Sequence, residues 1–329
     1  MPSRQRAVRG SRRLFYLLPR RAFIADLAGD TVLPVQLAFV AAELIPPTDF
    51  LARALIPYII GKSLRYQGDL QYVEKSYLEF LRGARAARNI WSMSGAVYEM
   101  VQVYRLQGRL RDALDLIGEF EKEADTCRAC GTGPVAKTHV VKGELLRETG
   151  QLDKARAIAE EAVRQVDAWG LPSDVYVSHQ YLARVLRSCG MVERARDALE
   201  KVHDLPRRAL VYSSLYPAFE AERVRTLLAL GDTASARALV TGPEFGKADT
   251  PVNREIEQVS AARVRLATDA SREDRELTGS LLEGLAHQAR FGRRIGPLVE
   301  ILVLQAEAAV MRGRRGCSSR AGRGASPRP

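Results

Sequence analysis

Several features that mark whole classes of protein are scarce in this sequence. Aromatic residues make up only 7% of the 329 positions, and cysteine occurs four times, at Cys127, Cys130, Cys189 and Cys317. No uncharged apolar run approaches the roughly 20 residues that a membrane-spanning helix needs. With 46% hydrophobic and 27% charged residues, the composition argues against a collagenous or intrinsically disordered chain. So few cysteines fit the reduced thiols of a cytoplasmic protein better than a disulfide framework.

Acidic residues are missing from both ends of the chain. Residues 1–21 contain seven arginines and residues 312–329 contain six, with no aspartate or glutamate in either segment. Without these arginines the net charge falls from +11 to −2. We therefore divide the chain into a basic disordered segment (1–21), a folded body (22–311) and a basic disordered tail (312–329). A nearly neutral body lacks the basic face that holds duplex DNA, so we expect no direct sequence-specific DNA binding.

Arg12 and Arg13 resemble part of a twin-arginine export signal. Such a signal continues with an apolar core of at least about seven residues, and here Arg20 and Arg21 interrupt the apolar run too early. We therefore expect no export, no membrane association and a cytoplasmic location.

Glycines recur along the chain at a nearly constant spacing. Gly29, Gly68, Gly108, Gly150, Gly190 and Gly231 are separated by 39, 40, 42, 40 and 41 residues, and Ala270 and Gly313 continue the series. A fixed period of about 20 to 50 residues is typical of stacked repeats. Between the glycines, apolar residues are spaced by three and four, which predicts helices. Because no segment alternates like a strand, the sequence predicts an all-α array of helical hairpins.

Each unit repeats the same residue types at the same distance from its glycine. A small residue follows five positions later, at Ala113, Ala155, Ala195 and Ala236, and a large apolar residue such as Leu146 precedes the glycine by four. The glycine permits the backbone that ends one helix and reverses the chain. The alanine lets the two helices of a hairpin approach closely, and the large residue fills the seam between them.

The unit resembles a tetratricopeptide repeat. Residues 108–113 (Gly-Arg-Leu-Arg-Asp-Ala) and 150–155 (Gly-Gln-Leu-Asp-Lys-Ala) are similar to the second half of its signature, and Gly61 and Gly143 match the small residue of its first helix. The period is longer than the usual 34 or so residues. That period and residues 290–315 resemble the sensor region of MalT-like, LuxR-type bacterial transcriptional activators. The resemblance implies a right-handed α-solenoid of about seven hairpins with a period near 40 residues.

Regulators of this type combine a nucleotide-binding module, the solenoid and a helix-turn-helix. The resemblance covers roughly residues 22–315 and includes neither of the other two modules. From Arg312 onward the helical pattern gives way to Gly, Ser, Arg and Pro, so we expect a degenerate, truncated or frameshifted end. An end unit without a neighbour exposes apolar surface, so we also expect self-association.

Three features that suggest chemistry are better explained without it. Residues 131–138 (Gly-Thr-Gly-Pro-Val-Ala-Lys-Thr) approach a phosphate-binding loop, but Ala136 replaces the final glycine and no buried strand precedes them. Cys127 and Cys130 form a CxxC pair, but a closed zinc site needs four ligands. The four histidines are scattered among different units. We therefore expect no catalytic residue, no metal site, no cofactor and no enzymatic activity.

Arginine recurs three residues before four successive turn glycines, at Arg65, Arg105, Arg147 and Arg187. Stacked repeats align these side chains in a ladder, at positions that resemble the concave groove of tetratricopeptide arrays. The predicted groove comprises Tyr58, Lys62, Arg65, Tyr98, Gln102, Arg105, Arg147, Gln180, Arg184, Arg187 and Arg225. It suits a protein or peptide partner, or a small polar or anionic ligand. Alternatively, the arginines pair with acids of neighbouring helices and only keep the surface hydrated.

The sequence therefore predicts a non-enzymatic binding module, the sensor and oligomerisation part of a MalT-like regulator. A stand-alone tetratricopeptide scaffold that binds a partner protein is the alternative. Neighbouring reading frames for a nucleotide-binding module or a LuxR-type helix-turn-helix favour the regulator, whereas an isolated gene favours the scaffold.

Deleting residues 1–21 and 312–329 is expected to abolish any salt-sensitive retention on DNA, because thirteen arginines lie in these segments. The helical circular dichroism signal should persist, since the repeats lie between them. Retention on a DNA column over a salt gradient measures the effect. If residues 22–311 alone still bind DNA with an affinity that falls steeply with salt concentration, the interpretation that the nearly neutral repeat region does not bind DNA is wrong.

Overall fold

A computed structural model describes most of the repeat region. It covers residues 17–18, 21–22, 24–25, 30, 32–46, 49–68, 70–127, 133–169, 171–209, 211–243, 245–248, 250–268 and 271–321. The helices are α1 (Leu33–Leu44), α2 (Phe50–Gln67), α3 (Leu70–Ala86), α4 (Ile90–Leu106), α5 (Leu110–Thr126), α6 (Gly133–Glu148), α7 (Leu152–Trp169), α8 (Pro172–Ser188), α9 (Val192–His203), α10 (Leu205–Arg208), α11 (Tyr216–Ala229), α12 (Thr233–Thr241), α13 (Pro251–Ala267), α14 (Arg272–Phe291) and α15 (Ile295–Ala321).

The helices form antiparallel hairpins that stack in one array. In each hairpin an inner helix lies beside the inner helices of the adjacent hairpins, and an outer helix packs behind it. The hairpins are α2 with α3, α4 with α5, α6 with α7, α8 with α9, α11 with α12, and α13 with α14, and α15 begins a seventh unit. No strand occurs among the described residues. The predicted all-α solenoid is confirmed.

The turn glycines reverse the chain as predicted. Gly68, Gly108, Gly150, Gly190 and Gly231 all have positive φ, from 75° to 84°, a conformation that glycine adopts without steric cost. Each lies between the inner and the outer helix of one hairpin. The predicted turns at Gly29 and Ala270 lie outside the described residues.

Small residues set the distance between the two helices of a hairpin. The alanines that follow the turn glycines by five residues are completely buried, at Ala113, Ala155, Ala195 and Ala236. On the facing helix, a β-carbon on Gly143 would lie 3.1 Å from Cβ of Ala159, and a β-carbon on Gly61 would lie 2.8 Å from the ring of Tyr77. The predicted close approach of the helices is therefore confirmed.

Inner and outer helices are buried to different extents. The outer helix α5 buries Ala113, Ile117, Phe120 and Ala124, which are spaced by three and four along one face. The inner helix α4 buries nearly every residue from Met93 to Tyr104, including Glu99 and Gln102. Inner helices are covered on several sides, so their polar side chains must find partners inside the protein.

The array winds tightly enough for its last helices to contact its first. Helix α13 packs against α2, and α15 packs against α4. A β-carbon on Gly108 would lie 3.2 Å from Cγ2 of Ile295, and one on Gly68 would lie 3.7 Å from Cγ2 of Val252. The sixth hairpin therefore rests on the first and the seventh unit on the second. This second winding encloses the inner face.

The helical part extends past both predicted boundaries. Residues 17–18 and 21–22 are helical, with Leu18 and Ala22 buried against α1 and α2. At the other end α15 continues to Ala321, so the predicted eighth turn at Gly313 is wrong. One glycine costs a helix only about 1 kcal/mol relative to alanine, and no proline follows before Pro327 to stop it. In the DNA-retention test, replacing the arginines of residues 312–321 by glutamine therefore removes their charge without removing part of α15, as the deletion does.

Gly61→Ala is expected to destabilise the protein by about 1–3 kcal/mol, because the added methyl group would overlap the ring of the completely buried Tyr77. Gly118→Ala is the matched control, since a β-carbon there meets nothing within 4 Å. This control should stabilise α5 by about 0.5–1 kcal/mol. Urea unfolding measures both variants, and a neutral Gly61→Ala would contradict the close approach.

Candidate ligand groove

The predicted groove residues all lie on inner helices. Tyr58, Lys62 and Arg65 are on α2, Tyr98, Gln102 and Arg105 on α4, Arg147 on α6, Gln180, Arg184 and Arg187 on α8, and Arg225 on α11. Stacking of the hairpins connects five of the arginines, Arg105, Arg147, Arg184, Arg187 and Arg225, into one network through shared carboxylates, whereas Arg65 pairs with a separate glutamate. The arginines do not stand alone in this network, because carboxylates alternate with them.

Glu144 joins the third and fourth hairpins. Its side chain is completely buried, and its oxygens lie 2.8 Å from Nε of Arg147 and 2.7 Å from Nη1 of Arg184. The Nε of Arg184 in turn lies 3.2 Å from Glu222 on α11. One arginine therefore bridges carboxylates of the hairpins before and after its own.

Glu222 and Glu300 extend the network to the end of the array. Glu222 is also completely buried and lies 2.8 Å from Nε of Arg187 and 3.5 Å from Nη1 of Arg225. Nη2 of Arg225 pairs with Glu300 on α15. Glu300 also lies 2.8 Å from Nη2 of Arg263 on α13. The ion pairs thus connect α8, α11, α13 and α15.

The first two hairpins carry a similar network that contains tyrosines. Arg65 pairs with Glu99 at 3.1 Å, and the hydroxyl of Tyr77 donates to the same carboxylate. Arg105 pairs with Glu148 on the next inner helix at 3.0 Å.

A second set of contacts links α4 to α8, two hairpins away. Arg105 also donates to Oε1 of Gln102 and to the hydroxyl of Tyr181. The Tyr181 hydroxyl in turn donates to Oε1 of Gln102 at 3.0 Å. Contacts of this range are possible because the tight winding brings alternate inner helices together.

The remaining predicted residues have mixed surroundings. The ammonium of Lys62 lies 3.4 Å from the ring centre of Tyr212, in the segment that precedes α11. Tyr58 packs on Phe80 of the outer helix, with ring centres 4.9 Å apart, so it belongs to the seam of the first hairpin. Tyr98 lies under the ammonium of Lys137, and Gln180 is 3% exposed. The predicted set therefore includes residues of the core as well as of the inner face.

Burial and charge act in opposite directions on the carboxylates. Desolvation alone would raise the pKa of Glu144, but the positive charges of Arg184, Arg147 and Arg105 outweigh it and hold the pKa well below its usual value. The same balance at Glu300, with Arg225 and Arg263 nearby, lowers the pKa from 4.5 to about 2. Both side chains are therefore ionised at neutral pH and stabilise the fold in that form.

Five carboxylates of the network, Glu99, Glu144, Glu148, Glu222 and Glu300, were not among the predicted groove residues. Three of them had a positional signal, because Glu144 lies six residues before a turn glycine and Glu99 and Glu222 each lie nine residues before one. A face defined by positions three, six and nine residues before the glycine includes them. The pairing of arginines with acids of neighbouring helices, which the sequence left open, is what the structure shows. Binding of a ligand to the same face stays a prediction.

The motifs that suggested other chemistry lie apart from this network. Lys137 is inside α6 and pairs with Asp174 at 2.8 Å, and residues 133–138 are helical, whereas residues 128–132 lie outside the described part. Cys127 is exposed, and its CxxC partner Cys130 is not described. Burial lowers the pKa of His179, whose Nε2 forms a hydrogen bond with Asp167. Among the described residues no group of three or more potential ligands is placed to hold a metal ion.

Comparison with known proteins supplies a family match. The sequence matches a family described as the MalT-like TPR region over residues 20–321. The crystal structure of a tetratricopeptide repeat protein from Parabacteroides merdae is similar to this chain, with 15% sequence identity and a TM-score of 0.47 over 90% of this chain and 99% of that one. A search of curated proteins finds no match. No helix in the described part of the chain is long and apolar enough to cross a membrane.

Glu300→Gln is expected to remove a pH-dependent part of the stability. Because the folded-state pKa lies near 2 instead of 4.5, the ionised carboxylate stabilises the fold above about pH 4.5, and this contribution disappears as the pH falls toward 2. Its side chain is 31% exposed, so solvent screening limits the loss at pH 7 to about 1–2 kcal/mol. Urea unfolding at pH 7 and pH 2.5 measures it.

The matched control is Glu307→Gln, an exposed glutamate on the same helix. It should change stability little at either pH. An equal loss for Glu300→Gln at both pH values would show that lost packing, and not lost charge, causes the effect.

Proposed function

Because this chain belongs to the family of MalT-like tetratricopeptide regions, we propose that it is a non-enzymatic binding module, the sensor and oligomerisation part of a LuxR-type transcriptional regulator. Its ligand binds on the inner face, at the network of arginines and carboxylates. The ligand is a protein segment or a small polar or anionic molecule. The module acts in the cytoplasm and does not itself read DNA sequence.

The observation that carries the proposal is the polar character of an enclosed face. A solenoid that served only as a spacer would gain more stability from apolar residues there, since buried ion pairs are often no better than well-packed hydrophobic side chains. Here Glu144 and Glu222 are completely buried, and Arg184 lies between them. Residues of this kind offer hydrogen-bond donors and acceptors to a polar ligand.

The network also supports a route from binding to a change of shape. Each carboxylate touches arginines of more than one helix, as Glu300 does with Arg225 and Arg263. A ligand that binds one of these arginines in place of its carboxylate weakens a contact between hairpins. These ion pairs lie between different hairpins, so a weakened contact changes how tightly the array winds. A ligand that prefers one winding shifts the population toward it.

A screen with matched variants tests the groove. Wild type, Arg187→Gln and Arg194→Gln are melted with a panel of phosphorylated and carboxylated metabolites, neutral oligosaccharides and acidic peptides. Arg187 lies on the inner face beside Glu222, whereas Arg194 makes a similar ion pair with Glu160 on the outside of the same hairpin. Compounds that stabilise wild type and Arg194→Gln are expected to lose at least tenfold in affinity with Arg187→Gln. Equal responses of both variants, or no active compound, contradict the groove.

A stand-alone scaffold is the second candidate, and the surface of α15 favours it. Ile295, Val299, Leu302, Val303 and Val310 are all at least 38% exposed on this helix and recur at helical spacing. Contiguous apolar surface of this kind is typical of contact with another polypeptide. Under this reading the partner packs on α15, and substitutions in the arginine network leave its affinity unchanged.

A further inference from the structure

Two buried hydrogen-bond donors of the inner face have no partner within the described structure. They are Nε of Arg65 on α2 and Nε2 of Gln102 on α4. Gln102 is only 7% exposed, so its amide nitrogen is removed from bulk solvent. A buried donor that makes no hydrogen bond destabilises the protein, and such atoms are rare unless something else satisfies them.

The orientation of the Gln102 amide follows from its neighbours. Its Oε1 accepts from Nη1 of Arg105 and from the hydroxyl of Tyr181, each at 3.0 Å. A rotated amide would point its own N–H groups at the guanidinium of Arg105, which can only donate. The amide nitrogen therefore faces away from Arg105, and only a hydrogen-bond acceptor can satisfy it.

Both donors belong to residues that lie near Glu99 on the inner face. Nη2 of Arg65 is held by Glu99, at 3.1 Å. Gln102 lies three residues after Glu99 on α4, and residues at this spacing are neighbours on one side of a helix. Arg65 and Gln102 therefore both lie within about one helical turn of Glu99, along the contact between α2 and α4. Because both unpartnered atoms are donors, a single acceptor group can satisfy them together.

Charge favours an anionic acceptor. The inner face described above carries eight lysine and arginine side chains and five carboxylates. Cations therefore outnumber anions in an enclosed region, where interactions between charges are stronger than in water. An oxyanion adds the missing negative charge and accepts hydrogen bonds from a guanidinium and an amide.

We propose that Nε of Arg65 and Nε2 of Gln102 form an oxyanion subsite between α2 and α4, which takes a carboxylate or phosphate group of a small ligand. This inference rests on the proposed function, in that the subsite is part of the groove, and it narrows the ligand to a class. A carboxylate and a phosphate group would accept hydrogen bonds from the same two donors. The comparison of phosphate with acetate below distinguishes the two groups.

Gln102→Glu tests the subsite, because it replaces the amide nitrogen, a donor, with a carboxylate oxygen that can only accept hydrogen bonds and that repels an anion. The retained oxygen still accepts from Arg105 and Tyr181. Wild type, Gln102→Glu and Gln151→Glu are melted at pH 7.5 in sodium phosphate, sodium acetate and sodium chloride of equal ionic strength. Gln151 is exposed in the turn of the third hairpin, so Gln151→Glu makes the same charge change away from the subsite.

At a tenfold excess over Kd, phosphate or acetate is expected to raise Tm by about 2–4 °C relative to chloride in wild type and Gln151→Glu. Gln102→Glu should show no such rise. General stabilisation by phosphate acts on all three proteins alike, so only the difference between variants counts. A response to phosphate alone assigns a phosphate group, and a response to acetate alone assigns a carboxylate.

Arg65→Lys provides a second test if Gln102→Glu folds poorly. Lysine keeps the positive charge beside Glu99 but lacks the Nε donor. It is expected to weaken the anion response at least fivefold in apparent Kd. An unchanged response in both variants, or no response of wild type up to 50 mM anion, overturns the subsite. If compounds from the panel still depend on Arg187, the groove survives and only the oxyanion subsite fails.

Discussion

A carboxylate that folding removes completely from water is tolerated only beside positive charge, and the inner face of this solenoid is organised by that constraint. Glu144 and Glu222 have no exposed side-chain surface, and each is contacted by arginines from its own helix or a neighbouring one. Removing one of these arginines leaves a buried carboxylate with less of the positive charge that compensates it, which destabilises the fold. The hairpins can therefore stack only in the register that brings these side chains together.

The tight winding follows from the same packing and has its own consequence. Since α13 rests on α2 and α15 on α4, residues five hairpins apart in sequence are neighbours. Polar residues that would line an open groove in a looser superhelix become part of an enclosed network here. A ligand that bound the paired arginines of this face would have to compete with the ion pairs that hold the array together.

The two surfaces of the molecule differ in what they can recognise. The inner face is polar, enclosed and rich in arginine, which suits a small charged group. The free side of α15 is apolar and exposed, which suits the packing of another polypeptide. A module that has both can bind a small ligand on the inside and pass its effect to a protein neighbour at the end of the array. This combination is consistent with the role proposed for it.

Local patterns along the chain were sufficient to predict the hairpins. A glycine every 40 or so residues, an alanine five residues later and apolar residues three and four apart define turns, seams and helices through contacts within one unit. The same register placed Arg105, Arg147, Arg184 and Arg187 on the inner face. The end of α15 was less predictable, because Gly313 carries the turn signal, but glycine only weakens a helix and does not by itself end it.

Which residues meet across the array was decided by tertiary structure alone. Contacts of Arg105 with Tyr181, of Arg225 with Glu300 and of Lys62 with Tyr212 join positions about 75 to 150 residues apart. Their distances depend on the small rotation between successive hairpins, which accumulates over five units and is set by side-chain packing at every interface. The sequence by itself determined the repeat, its helices and the residues that face inward. Only the winding decided that this face is enclosed, which carboxylates pair with which arginines, and which buried donors have no partner in the described structure.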